Sequence, residues 1–243
     1  MTRLLSPYSR GLAALLLFAA VPAFPQPGSS RLDEGMPIPA AWSPTEAFDE
    51  VVLSGADDVV VSQGDRWRIR ASGNRAVLDD LRFVVEDGEL LIGRRWRRTP
   101  AAGTARIEVS APIRRAHLAG SGRLTVSDLD GETGRAAVSG SGELAIERVR
   151  VGRLAAKIAG SGDMRLAGRA AFMQVQIAGS GDLSGEAMQV TDAELAIAGS
   201  GDTRLQASGR VSASIVGSGN AAVTGTRDCT QNRMGSGRLT CTR

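Results

Sequence analysis

A glycine-serine-glycine triplet recurs from the middle of this chain to its end, with first glycines at Gly120, Gly140, Gly160, Gly179, Gly199, Gly217 and Gly235. The intervals are 20, 20, 19, 20, 18 and 18 residues. A nearly fixed period of this length marks a solenoid, in which no repeat buries its apolar face alone and stacking is the folding event.

Aligned on the first glycine, the repeats show apolar columns. Leu118, Val138, Ile158, Ile177, Ile197 and Ile215 stand two residues before it. Leu124, Leu144, Met164, Leu183, Thr203, Ala221 and Leu239 stand four after it, and Val126, Ile146, Leu166, Gly185, Leu205, Val223 and Cys241 six after it. Apolar residues spaced by two on either side of a flexible hinge describe strand, corner, strand, with one face turned inward. A helix is disfavoured, since each glycine costs roughly 0.8–1.0 kcal/mol in a helix interior. An antiparallel sandwich needs tight hairpin signals, and the only such pairs, Asp87-Gly88 and Asp130-Gly131, lie outside the repeat column. The pattern predicts an all-β, parallel β-helix-like solenoid with coils of about 20 residues, Gly-Ser-Gly at the corners, and coils about 4.8 Å apart. Proline usage agrees: all nine prolines lie at or before Pro112, and a residue without an N–H cannot pair with the neighbouring coil.

Ahead of the repeats the chain divides in three. Residues 1–23 read as a signal peptide, with Arg3 and Arg10, an apolar core from Gly11 to Ala20, and a small-residue cleavage site at Val21-Pro22-Ala23. The apolar run is too short to span a bilayer, and no membrane span is expected once it is removed. Residues 24–45, with Pro25, Pro27, Pro37, Pro39 and Pro44, read as a proline-rich linker. Residues 46–243 form one β-helical domain: degenerate N-terminal coils over 46–112, regular repeats over 113–243. In the degenerate part, LRFVVEDGELLIGRR reads as two strands around Asp87-Gly88.

Export also decides the cysteines. Cys229 and Cys241 stand six residues before and six after Gly235, in columns that both point into the last coil. In an oxidising compartment that placement predicts a disulfide. Zinc is a poor competitor because His117 is the sole histidine. No cofactor or metal is expected. Losing Arg3 and Arg10 from 29 basic side chains leaves 27 against 26 acidic ones, a formal charge of +1, and Lys157 is the only lysine. A nucleic-acid partner would call for a concentrated basic surface instead.

Few residues invite chemistry. No G-x-S-x-G motif occurs, and His117, between inward Ala116 and Leu118, is expected to face solvent, so a hydrolytic triad is excluded. Asp163, Asp182 and Asp202 share one position after their triplets, with Glu143 before them and Asn220 after. Stacked carboxylates repel; a divalent cation, Arg165 and Arg204 close by, or plain solvation would relieve this. The calcium-binding β-roll has a nine-residue period, so an arginine-screened edge is the plainer of the two alternatives. A polysaccharide-active enzyme would need aromatic platforms and long loops, and beyond Trp96 the only aromatic is Phe172. The sharpest charge feature is Arg94-Arg95-Trp96-Arg97-Arg98, which is either a solvated loop between strands, the commoner case for such a run, or a contact for anionic envelope polysaccharide, lipopolysaccharide or membrane surface, with Trp96 as anchor.

The recurring V-x-x-G-S-G-D/E-L pattern, preceded by FDEVVLSGADDVVVSQGD, resembles the bacterial head GIN domain family of putative autotransporter adhesins, over roughly Phe48 to Thr242. That resemblance implies a β-helical, envelope-associated protein with no assigned enzyme activity and no catalytic residues to carry over. Together these readings describe an exported, non-catalytic binding, adhesion or structural module, periplasmic or at the cell surface. Its expected partner is an anionic envelope polysaccharide or another envelope protein. A polymerising scaffold and a polysaccharide-active enzyme are the alternatives.

Overall fold

The computed structural model describes residues 29–38, 46–64 and 66–243; the segment expected to be a signal peptide and part of the stretch expected to be a linker lie outside these residues. The fold is a β-solenoid of stacked parallel coils, as the triplet period predicts. Gly120, Gly140, Gly160, Gly179, Gly199, Gly217 and Gly235 pair in unbroken register from coil to coil. Gly55 begins the column, paired with Gly120. On the other side of the corner, Leu124, Leu144, Met164 and Leu183 form one vertical row. All four are fully buried, so each contributes on the order of 1.5–3 kcal/mol to the stack.

The corner itself is a backbone device. In the coil of Gly160, the N–H groups of Ser161 and Gly162 both donate to the Gly140 carbonyl oxygen at 2.9 Å. The motif repeats at the carbonyls of Gly55, Gly120, Gly160, Gly179 and Gly199, each held in a nest of two N–H groups from the next coil. This approach leaves no room for side chains. At both glycines of the triplet a Cβ would overlap a backbone oxygen of the preceding coil, and the first glycine also holds φ near +120° to +138° from Gly120 onward. The intervening serines, Ser121 to Ser236, stand exposed along the corner edge.

Stacking order departs from chain order at the N-terminal end. The coil formed by strands Glu50–Gly55 and Asp58–Ser62 is second in the pile. It pairs on one side with Arg115–Gly120 and Arg123–Val126, and on the other with Glu89–Arg94 and Arg106–Ser110. Two antiparallel strands then finish the sheets: Leu81–Glu86 against Glu89–Arg94, and Arg68–Ser72 against Arg106–Ser110. The first pair is a hairpin that turns at Asp87 (φ 52°) and Gly88 (φ 76°), the two residues of the turn anticipated from sequence. A short helix, Arg75–Leu78, is capped by Asn74, whose side chain accepts the Ala76 N–H at 2.9 Å, and it buries Val77 completely. Within the stretch expected as a linker, Met36–Pro37 pairs with Phe83 and Arg82, and Leu32 packs on Val52 and Leu91 outside the main core.

The other end is closed covalently. Cys229 lies under Val211 and Cys241 under Val223 in the inward columns, and the two cysteines are joined. Gln231 takes the inward position beneath Ala213 and accepts the Leu239 N–H at 3.1 Å. The last coil thus has little apolar core of its own. Reduction is expected to cost about 3 kcal/mol for a loop of this order, and to expose the amides of residues 229–242 to hydrogen exchange first. Protection falling evenly across all coils on reduction would contradict this.

Candidate functional site

The acidic column does structural work. The Asp182 N–H donates to Asp163 Oδ1 at 3.2 Å, the Asp202 N–H to Asp182 Oδ1 at 2.8 Å, and the Asn220 N–H to Asp202 Oδ1 at 2.8 Å. In earlier coils the same position donates to backbone, as Glu143 N–H does to the Gly122 oxygen at 3.0 Å. Each carboxylate therefore replaces a main-chain acceptor for the coil above it. Arg165 pairs with Glu143 rather than with its neighbouring aspartate. Among the described residues no group of three His, Cys, Asp or Glu is disposed to hold a metal ion.

His117 corrects the expectation of a solvent-facing side chain. It lies in register between Val52 and Ala137 and is only 8% exposed. Its Nε2 is 3.1 Å from Ser139 Oγ. Burial, and then the nearby charge of Arg135, hold the imidazole below its ordinary pKa and so favour the neutral form.

The arginine run divides its members between fold and solvent. Arg94 forms a two-pronged pair with Asp57, Nε to Oδ2 at 2.8 Å and a terminal nitrogen to Oδ1 at 2.6 Å. It also donates to the carbonyls of Ala101 at 2.9 Å and Gly103 at 2.7 Å. Asp57 is fully buried and accepts the Ala105 N–H at 2.7 Å as well. Arg95 and Arg97 both converge on the buried Asp80. Burial opposes ionisation of Asp80, but hydrogen bonds from Arg97 and Arg95 outweigh it and hold the carboxyl below its usual range. The Trp96 N–H donates to Asp33 at 2.7 Å, while its side chain stands out in solvent with Arg98. Three of the four arginines thus anchor the 95–104 loop to buried carboxylates, a demand that short-range spacing did not reveal.

A second surface was not anticipated. On the outer face ahead of the glycine corners, one row runs Glu50, Arg115, Arg135, Ala155, Gln174, Glu194, Ser212, Thr230. A parallel row carries Thr133, Arg153, Phe172 and Asp192. Between them opens a shallow groove of about 530 Å³ lined by Arg114, Arg115, Arg135, Arg153, Phe172 and Gln174. It joins a depression of about 430 Å³ floored by Phe48, Trp67 and Ile113. Trp67 is held there by its indole N–H, which donates to the Phe48 carbonyl at 3.1 Å. The Arg153 guanidinium lies 5.4 Å above the Phe172 ring centre. Arg115 is neutralised by Asp49 at 2.6 Å and Glu50 at 3.0 Å, and Arg114 reaches Asp49 only at 3.9 Å. Among the described residues, neither Arg135 nor Arg153 has a carboxylate within 4.0 Å. A sequence signal existed for two of the groove arginines: Arg115 and Arg135 each stand five residues before the first glycine of a triplet, whereas Arg153 stands seven before Gly160 and belongs to the other row.

Comparison with known proteins agrees with this architecture. Residues 47–226 match the family model described as putative auto-transporter adhesin, head GIN domain. No curated protein matches the chain. Among solved structures, a putative adhesin from Bacteroides fragilis superposes with a TM-score of 0.74 at 15% identity, over 84% of this chain and 95% of that one. A putative lipid binding protein from Parabacteroides distasonis gives 0.67 at 21% identity, over 86% and 98%. A putative adhesin from Parabacteroides merdae gives 0.64 at 16% identity, over 84% and 94%. At these identities the likeness is one of fold.

Proposed function

We propose, from the premise that this chain belongs to the head GIN domain family of putative auto-transporter adhesins, that it is an exported, non-catalytic binding module of the bacterial envelope. The observation that carries the reading is the open groove along the outer face of a rigid stack. It is shallow, solvated and built on strands, which suits recognition of an extended partner better than enclosure of a reacting bond. The carboxylates that might have served as an acid–base pair accept backbone N–H groups of adjacent coils instead. The antiparallel strands at one end and the disulfide-closed coil at the other favour a discrete module over an open filament. No helix among the described residues is long and apolar enough to cross a membrane. Anionic envelope polysaccharide is the expected class of partner, with Trp96 and Arg98, the exposed members of the Arg94–Arg98 run whose side chains are not tied to a buried carboxylate, available to contribute.

Expression of the full chain in a Gram-negative host tests this directly. The expected product starts at Phe24, carries the Cys229–Cys241 bond, and co-sediments with isolated envelopes. A full-length, reduced protein in the cytosol, or turnover of envelope polysaccharide by the purified protein, would overturn the proposal.

A further inference from the structure

The charges along the groove are arranged in a sequence that narrows the ligand. Coil by coil the outer rows present Asp49 and Glu50, then Arg114 and Arg115, then Arg135, then Arg153, then Phe172 and Gln174, then Asp192 and Glu194. Further along, Arg210 faces Asp228 at 3.6 Å. The basic belt is therefore a few coils wide and bounded by acids on both sides. Coils lie about 4.8 Å apart, so the belt is shorter than the groove that contains it.

Inside the belt Arg114 and Arg115 already answer Asp49 and Glu50. Arg135 and Arg153 remain, on adjacent coils, exposed and without a carboxylate within 4.0 Å among the described residues. Phe172 orients the Arg153 guanidinium by cation–π contact, which reduces the rotamer freedom that an incoming anion would otherwise have to freeze. A planar guanidinium so held is suited to two-pronged hydrogen bonding of a carboxylate or phosphate. Thr133, Gln174, Ser212 and Thr230 add neutral hydrogen-bonding groups on either side.

We infer that this groove binds a glycan carrying isolated anionic substituents on an otherwise neutral chain, with Arg135 and Arg153 holding one carboxylate or phosphate. A uniformly charged polyanion is selected against, because its flanking charges meet Asp192 and Glu194 on one side and, on the other, Arg114 and Arg115 already paired with Asp49 and Glu50. A lipid headgroup would fill the belt but leave the rest of the groove idle. The inference rests on the reading of the chain as a binding module and gives that module its contact site.

The test uses the mature chain, beside Arg135→Ala, Arg153→Ala and, outside the groove, Arg204→Ala, each checked for an unchanged melting profile. The disaccharide unit of hyaluronate, one carboxylate-bearing sugar joined to one neutral sugar, is the probe, alongside dextran, heparin, inorganic phosphate and phosphatidylcholine vesicles containing phosphatidylglycerol. The expected result is binding of the disaccharide that exceeds binding of dextran and heparin. Arg135→Ala and Arg153→Ala should each weaken it about tenfold or more, and Arg204→Ala should leave it unchanged. Absence of disaccharide binding, heparin binding as tightly, or full affinity in both groove variants would overturn the inference. So would inorganic phosphate or vesicles binding as tightly as the disaccharide with the same dependence on Arg135 and Arg153. If the mature chain and both groove variants co-sediment equally with isolated envelopes, the binding-module reading survives and the groove assignment alone falls.

Discussion

Gly160→Ala is expected to abolish cooperative folding or to cost more than about 4 kcal/mol, a loss reserved for a few severe mechanisms. Two effects combine there. The residue sits at φ +120°, where an L side chain is strained by about 1–3 kcal/mol. The new methyl would also overlap the Gly140 carbonyl oxygen, which is pinned by the N–H groups of Ser161 and Gly162. Backbone on backbone cannot give way as a flexible side chain can, so relief requires the coils to separate and the register to break. Gly55→Ala is the matched control. Its φ is similar, +134°, yet nothing lies within 4 Å of the added carbon, so only the conformational strain of about 1–3 kcal/mol applies. Urea unfolding of the two variants separates the effects. Equal losses would mean that conformation alone, and not coil contact, makes glycine necessary at the corner.

Asp57→Ala should cost about 3–5 kcal/mol, the range for breaking a buried ion pair from one side. Asp57 is fully buried and serves three donors: two nitrogens of Arg94 and the Ala105 N–H. Alanine there leaves a mostly buried guanidinium with two carbonyls for company, and an amide with none. The 95–104 loop, anchored through Arg94 to Asp57 and through Arg95 and Arg97 to Asp80, should become the first site of proteolytic cleavage. Arg94→Met should be costly for the mirror reason, and the double variant should lose less than the sum, because no charge is then left unpaired. Additive losses, or an uncleaved loop in Asp57→Ala, would show that the pair does not hold this end of the molecule together.

Periodic information was legible in the chain, and compositional information misled. The columns through Leu118, Leu124 and Val126 appear in the fold as read, because an inward position in a parallel stack repeats at the coil length and nothing but the period is needed to see it. The pairing of Cys229 with Cys241 followed from the same columns. Charged residues carry no such signal. A cluster of arginines looks alike whether it meets solvent or buried aspartates, and the partners of Arg94–Arg97 lie 15 to 37 residues away, in Asp80 and Asp57. Asp57 itself stands where later corners have the triplet's second glycine, since Asp58 pairs with Arg123 just past Gly122. The acidic column likewise looked like a charge problem until the amide of the next coil supplied each carboxylate with a donor.

By itself the sequence determined a pile of glycine-cornered coils with a shared apolar axis, because overlap between successive backbones admits only glycine at the corners and burial admits only apolar residues within. Tertiary structure alone decided which coil lies next to which at the N-terminal end, where Glu50–Gly55 enters between strands that come later in the chain. It also decided which charges are spent on the fold and which, like Arg135 and Arg153, are left facing outward. Both depend on contacts between residues far apart in the chain, and those distances exist only after the coils have stacked.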